Sequence, residues 1–134
     1  MDEQLEKVEY PSGSFVLTRK VVADNSVEAG GASGGLSRGS AVSAGGMWMG
    51  ISDLPAHHAS VAHHHEQQTT IVHILSGEMT FRVGEDGAEV FTARPGDYAV
   101  IPGGVIHREE NPSDEACRCI VVRNSETPVV TNLE

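Results

Sequence analysis

From Met47 onward the apolar positions fall in short runs cut by turn residues, with no sustained helical period. The runs predict strands at 47–52, 58–64, 69–76, 79–84, 88–93, 98–101, 104–109 and 117–123. Gly77-Glu78, Glu85-Asp86-Gly87, Pro95-Gly96-Asp97 and Pro102-Gly103-Gly104 supply the reversals between them. Asp86-Gly87 signals a hairpin, because both residues tolerate the positive φ that two-residue turns require. Short strands at regular spacing predict an all-β sandwich or closed barrel. The run 69–75 is apolar on both faces, with Thr70, Val72 and Ile74 alternating against Ile71, His73 and Leu75. Such a strand has to be covered twice, by the barrel interior on one side and by a second sheet or second subunit on the other.

Upstream the pattern weakens. Residues 1–13 are polar and acidic, read as an N-terminal arm with at most a short helix, and Pro11-Ser12-Gly13 separates them from a strand at 14–22. Residues 24–46 are rich in Gly, Ser and Ala, which predicts a long irregular excursion, either a mobile surface loop or a cover over a pocket mouth carrying Arg38. Segments of this kind longer than about 12–15 residues are functional covers or disordered. No repeat or linker divides the chain, so 14–134 is expected to be one domain, and 134 residues are short for two. At the other end, 127–130 is an expected edge strand for a partner subunit.

Charge narrows the partners. Nine Lys and Arg against 19 Asp and Glu give a formal −10, which repels nucleic-acid backbones and anionic lipid. The apolar runs are far below the ~20 residues of a membrane span, and no signal peptide opens the chain, so no membrane partner and a cytoplasmic location are expected. The two cysteines, Cys117 and Cys119, share one face of a strand at the outer limit of disulfide reach, and are expected to be reduced and buried. As a Cys-x-Cys metal hook they lack a second pair.

The histidines carry the chemistry. Seven are present, and six of them (57, 58, 63, 64, 65 and 73) lie within seventeen positions. On a strand His63 and His65 point the same way, so both imidazoles can address one cation. Downstream, Gly96-x5-Pro102-x-Gly104-x2-His107-x3-Asn111 sets turn residues around a third imidazole. The three turn residues alone coincide by chance at on the order of 2 in 10,000 start sites.

This segment resembles, position for position, the second motif of the cupin superfamily. The first motif, G-x5-H-x-H-x3,4-E-x6-G, is met in part: His63, His65 and Gly77 fit, Thr70 stands at the acidic position, and His57 replaces the opening Gly. The resemblance spans roughly 47–123, with core motifs at 57–77 and 96–111. It implies a small single-domain jelly-roll barrel and a divalent transition metal held by His63, His65 and His107. Gln68, on the face of Thr70, could complete the ligand set, with water, Thr70, Gln67 or Glu66 as alternatives. A register through His64 and Glu66 loses the His-x-His pair.

Three neutral imidazoles leave the ion its full charge, which favours an anionic ligand. The resemblance therefore implies a homodimeric, metal-binding enzyme for a small anionic or phenolic substrate. Dioxygenase-type oxidation with Fe(II) leads. Isomerase or lyase chemistry with Mn, Ni or Zn, and non-catalytic binding, are the alternatives. His57 and Tyr98 are the candidate acid–base groups, with His58 and Arg108 near the mouth and Val72, Ile74 and Val100 as apolar lining. Trp48 is expected in the core or an interface, and His73 as a packed or dimer-contact side chain.

Overall fold

A computed structural model describes residues 6–24, 26 and 30–133 of the chain. Among them every regular element is a strand. The N-terminal half holds β1 (Glu6–Glu9), β2 (Phe15–Thr18), β3 (Ala32–Ser33), β4 (Leu36–Ala44), β5 (Met47–Leu54) and β6 (His63–His64). There follow β7 (Thr70–Ser76), β8 (Met79–Val83), β9 (Glu89–Ala93), β10 (Tyr98–Ile101), β11 (His107–Glu110), β12 (Cys117–Arg123) and β13 (Thr131–Asn132).

Two antiparallel sheets enclose the interior, one ordered β10-β7-β12-β5-β4-β3 and the other β13-β6-β11-β8-β9. Chain neighbours β7 and β8 lie in different sheets, so Gly77 turns the chain from one wall to the other. Its φ of +72° and the 2.4 Å that would separate a Cβ from the Ala116 carbonyl leave room for glycine alone. This is the double-stranded β-helix, or jelly roll.

Period-two alternation sets what faces inward. β12 buries Cys117, Cys119, Val121 and Arg123; β5 buries Trp48, Gly50, Ser52 and Leu54. Trp48 folds back across Gly50, where a Cβ would lie 2.4 Å from its ring. Leu36, Val72, Ile74, Met79, Phe81 and Ile101 complete the apolar part of the core. Asn111, the last residue of the second motif, is 1% exposed and donates to the Leu54 and Glu115 carbonyls while accepting from Ser113. It ties the turn after β11 to the end of β5.

Several expectations change. The segment 24–46 is no irregular excursion: residues 36–44 form a nine-residue strand paired along its length with β5. Small residues lower strand propensity, but a long partner and two inward side chains, Leu36 and Arg38, decide the outcome. Gly39 also lets the Val22 carbonyl approach to 2.6 Å of where a Cβ would stand. Residues 25 and 27–29 of that segment, and 1–5 of the arm, lie outside the described residues. The described part of the arm is a strand, not a helix, paired with β2 across the Pro11-Ser12-Gly13 turn. The strand expected at 14–22 ends at Thr18.

Two strands begin later than the runs suggest. Of 58–64 only His63–His64 is laddered, because 58–61 spend their backbone groups on Ser33, Gly35, Glu109 and Asn111. Of 104–109 only the part from His107 is strand, since Val105 closes a turn on the Pro102 carbonyl. The C-terminal strand is 131–132, beyond the expected 127–130, and pairs with β6. Val100, expected as lining, is outward with Tyr98; Ala99 and Ile101 take the inward positions of β10.

Candidate metal centre

His63 opens β6 and stands directly across from His107, which opens β11. His65, two residues on, returns to the same face. All three side chains are buried, and their rings lie 4.4 Å (63–107), 5.0 Å (63–65) and 5.3 Å (65–107) apart between centroids. One ring nitrogen from each lies within 4.8 Å of the other two. His64 faces the other way and accepts from the Glu66 N–H.

The tautomers follow from the partners. Each Nδ1 faces a backbone carbonyl, which can only accept: Val61 for His63 (2.8 Å), Val105 for His107 (2.9 Å) and Val129 for His65 (2.8 Å). Each Nδ1 is therefore a donor, and each Nε2 is the atom left to ligate. Bonds of this kind fix ring orientation and raise ligand basicity. The Val129 clamp comes from the stretch before β13, so the C-terminal segment shapes the centre.

Further polar side chains crowd the interior. Glu109 is 5% exposed and lies two residues after His107, so strand parity aims it at the same place. Its oxygens are 3.3 Å from His107 Nε2 and 3.4 Å from His63 Nε2, and Ser60 Oγ donates to it at 3.0 Å. Arg38 Nη2 donates to His63 Nε2 at 3.2 Å and its Nη1 to Ser33 Oγ at 3.1 Å. Arg123 Nε donates to Thr70 Oγ1 at 3.1 Å, with its guanidinium 5.1 Å from the Trp48 ring centre. Arg38, Thr70, Glu109, Arg123, His65 and Cys119 border a small cavity of about 10 Å³, room for one water.

These neighbours set the charges. Burial lowers the His63 pKa to about 4, helped by Arg38 and His107 and opposed by Glu109. Burial also lowers that of His65, with Arg123 and Arg38 adding to it. Burial pulls on His107 too, but the Glu109 carboxylate outweighs it and the net shift is upward. Burial works against the charge of Glu109, yet His63, His107 and Arg38 hold its carboxyl well below the usual range. Arg123 is lowered to about 9 by burial and by Arg38.

The donor set fits a divalent transition metal: three buried imidazoles with fixed tautomers and one carboxylate in contact with two of them. An arriving cation has to displace Arg38 from the His63 lone pair.

The other sequence candidates lie elsewhere. Gln68 spends its amide on the C-terminal segment, donating to the Thr127 carbonyl (2.7 Å) and accepting from the Val129 N–H (3.2 Å). Thr70 is inside but engaged by Arg123. His57 is exposed and paired with Asp114, and His58 is exposed. Tyr98 is 72% exposed and stacks on His73 at 4.2 Å, outside the barrel. Arg108 lines an open groove of about 230 Å³ that touches His107 between Ala62 and the 84–87 turn. A cavity of about 400 Å³ between Arg19 and Pro128 is not lined by the imidazoles. Sequence reasoning misses Glu109 and Arg123, and it sets Arg38 on a loop or cover at the mouth where the fold puts it inside the barrel. His107-x-Glu109 obeys the parity that singled out His63-x-His65, so Glu109 was findable; the arginines had no such pointer.

A jelly roll with inward imidazoles gathered from two facing strands defines a class of small β-barrels that offer an ion site. The chain belongs to the cupin family: the model of the family described as Cupin domain matches residues 50–123, more than half of the chain. No curated protein matches. Among solved structures, the chain is similar to an oxalate oxidase described for its mechanism, at 25% identity and a TM-score of 0.59. That match covers 66% of this chain and 46% of the oxidase, so the chain spans about half the oxidase's length. It is also similar to the polyketide cyclase RemF from Streptomyces resistomycificus (21% identity, TM-score 0.68, covering 86% and 81%). A third likeness is to the Cnp3 cupin domain of Schizosaccharomyces pombe (16% identity, TM-score 0.68, covering 95% and 90%). The last two are likenesses of fold.

Proposed function

We propose that this cupin binds one divalent transition metal through His63, His65 and His107, with Glu109 as the carboxylate ligand that Thr70 cannot be, and oxidises a small anionic or phenolic molecule with O₂. The observation that carries this reading is the convergence of three buried Nε2 atoms whose Nδ1 partners are already committed to carbonyls. Adjacent ligands about 2.1 Å from an ion stand roughly 3.0–3.4 Å apart. The contacts of Glu109 with His63 and His107 are close to that range. The bound ion, Fe(II) in the leading form, supplies substrate chelation and oxygen chemistry. The chain's own part is to fix ring tautomers, supply counter-charge through Glu109 and exclude water with Val72 and Ile74. Similarity to an oxalate oxidase supports the anionic substrate and the use of oxygen. In this reading His57, Tyr98 and Gln68 have no chemical role.

The test is metal analysis of protein purified without chelators, followed by aerobic and anaerobic assays against small acids and phenols. Stoichiometric iron with substrate-dependent O₂ consumption supports the reading. Turnover without O₂ moves it to isomerase or lyase chemistry, and failure to retain Fe, Mn, Ni or Zn after each is supplied ends it.

We further propose that the protein is a homodimer through the outer face of the six-stranded sheet. Two apolar rows cross that face in register, Val100–Ile71–Val122–Met49–Val42 and Tyr98–His73–Ile120–Ile51. Cys117 and Cys119 are free and buried, which supports a reducing compartment such as the cytoplasm. Among the described residues no helix is long and apolar enough to cross a membrane.

A further inference from the structure

The imidazoles are closed off: all three are buried, and the cavity beside them has room for one water. A molecule of several atoms reaches them only if part of the cover moves. The two sheets cannot part without breaking ladder bonds. Residues 124–130, between β12 and β13, are held differently: among the described residues they make no backbone-to-backbone hydrogen bond. Side chains strap them down instead. The Asn124 side chain accepts from the Thr69 N–H, and the Glu126 carboxylate accepts from the Gly46 N–H at 2.9 Å. Gln68 grips the strap at two points, the Thr127 carbonyl and the Val129 N–H. Glu126, Thr127 and Pro128 line the cleft of about 400 Å³, with Trp48 across from them. The next residue, Val129, holds the His65 ring. The Trp48 ring centre is 5.1 Å from the guanidinium of Arg123, which borders the small cavity. Cleft and centre are thus separated by Trp48, Arg123 and the strap.

We propose that residues 124–130 are a gate between this cleft and the imidazoles, with Gln68 as its latch. When the strap lifts, the cleft and the small cavity join into the path by which a molecule larger than water enters. The proposal rests on the function given above for what is admitted, but the latch itself is built from the chain's own residues. Gln68, whose spacing suggested a ligand, thus serves the centre from outside by controlling access to it.

The test is alkylation of the folded, full-length protein by iodoacetamide, which is too large for the closed cavity. Cys119 borders that cavity and Cys117 does not, and trypsin cutting after Arg118 puts the two thiols on separate peptides. Gln68→Ala, which removes both latch bonds, should speed labelling of Cys119 roughly tenfold and leave Cys117 unchanged. Amide exchange followed by mass spectrometry should quicken over 124–130 and not over β5 or β12. Should Gln68→Ala fail to fold, Glu126→Ala, which frees the strap from Gly46, gives the same comparison. Unchanged Cys119 labelling overturns the proposal, and so does equal acceleration of both thiols, which is general loosening. Faster Cys119 labelling in protein that retains no metal would leave the gate standing and end the metal reading. Stoichiometric metal with unchanged labelling would do the reverse.

Discussion

Glu109 and Gln68 illustrate how one side-chain direction decides a role. Both carry an oxygen of ligand type near the imidazoles in sequence, but Glu109 points into the barrel against two of them while Gln68 is spent on residues 127 and 129. Glu109→Gln is expected to lower metal affinity by about 10–100-fold, and Gln68→Ala to leave it within a few-fold, measured by competition with a chromophoric chelator. Equal effects would contradict the assignment. The thiols give a second prediction. Burial raises Cys117 from 9.0 to about 11, with Asp53 and Glu78 adding to it, and raises Cys119 to about 12. A thiol whose folded pKa exceeds its unfolded value favours the fold fully below the unfolded value, and that stability is lost as pH rises through the folded one. Denaturant midpoints should therefore fall between about pH 9 and 12, and less steeply in Cys117→Ser.

At the scale of elements, the short strands β6, β11 and β13 do most to build the centre. β6 and β11 put His63 and His107 opposite each other, and β13 ties the C-terminal segment down so that the Val129 carbonyl can accept from His65. A chain ending at Glu126 is expected to keep its sheets, as judged by far-ultraviolet circular dichroism. It should lose about 10–100-fold in metal affinity, because the His65 ring loses the partner that fixes its tautomer. Unchanged affinity would mean that the clamp does not orient the ligand. β4 makes the complementary point. Its composition argues against a strand, but pairing with β5 carries it, and it delivers Arg38 to the interior.

The whole molecule presents opposite charges at its surface and its centre. The formal charge is −10, but the buried ionic groups around the cavity are two arginines and one glutamate. An anionic substrate, as proposed above, is therefore compatible with an acidic exterior, since interactions at short range in a low dielectric outweigh distant screened ones. The bare apolar face of the six-stranded sheet belongs to the same scale. Val122→Glu, at the centre of the first row, is expected to convert dimers to monomers in light scattering coupled to size exclusion, without loss of bound metal. A monomeric wild-type protein would remove the proposed interface.

The sequence alone determined the all-β class, the period-two facing of β7 and β12, the turn residues of the second motif and the pairing of His63 with His65. Each of these is a local property of a strand or a turn, legible because alternation and glycine or proline geometry act over a few residues. Tertiary structure decided the rest. The fate of 36–44 depended on a partner strand, the inward arginines on what lay across the barrel, and the C-terminal clamp on a segment some sixty residues from the ring it holds. Cross-chain contacts carry no periodic signature. Composition therefore misread β4 as a loop, and spacing brought Gln68 to the centre while the fold placed Glu109 there.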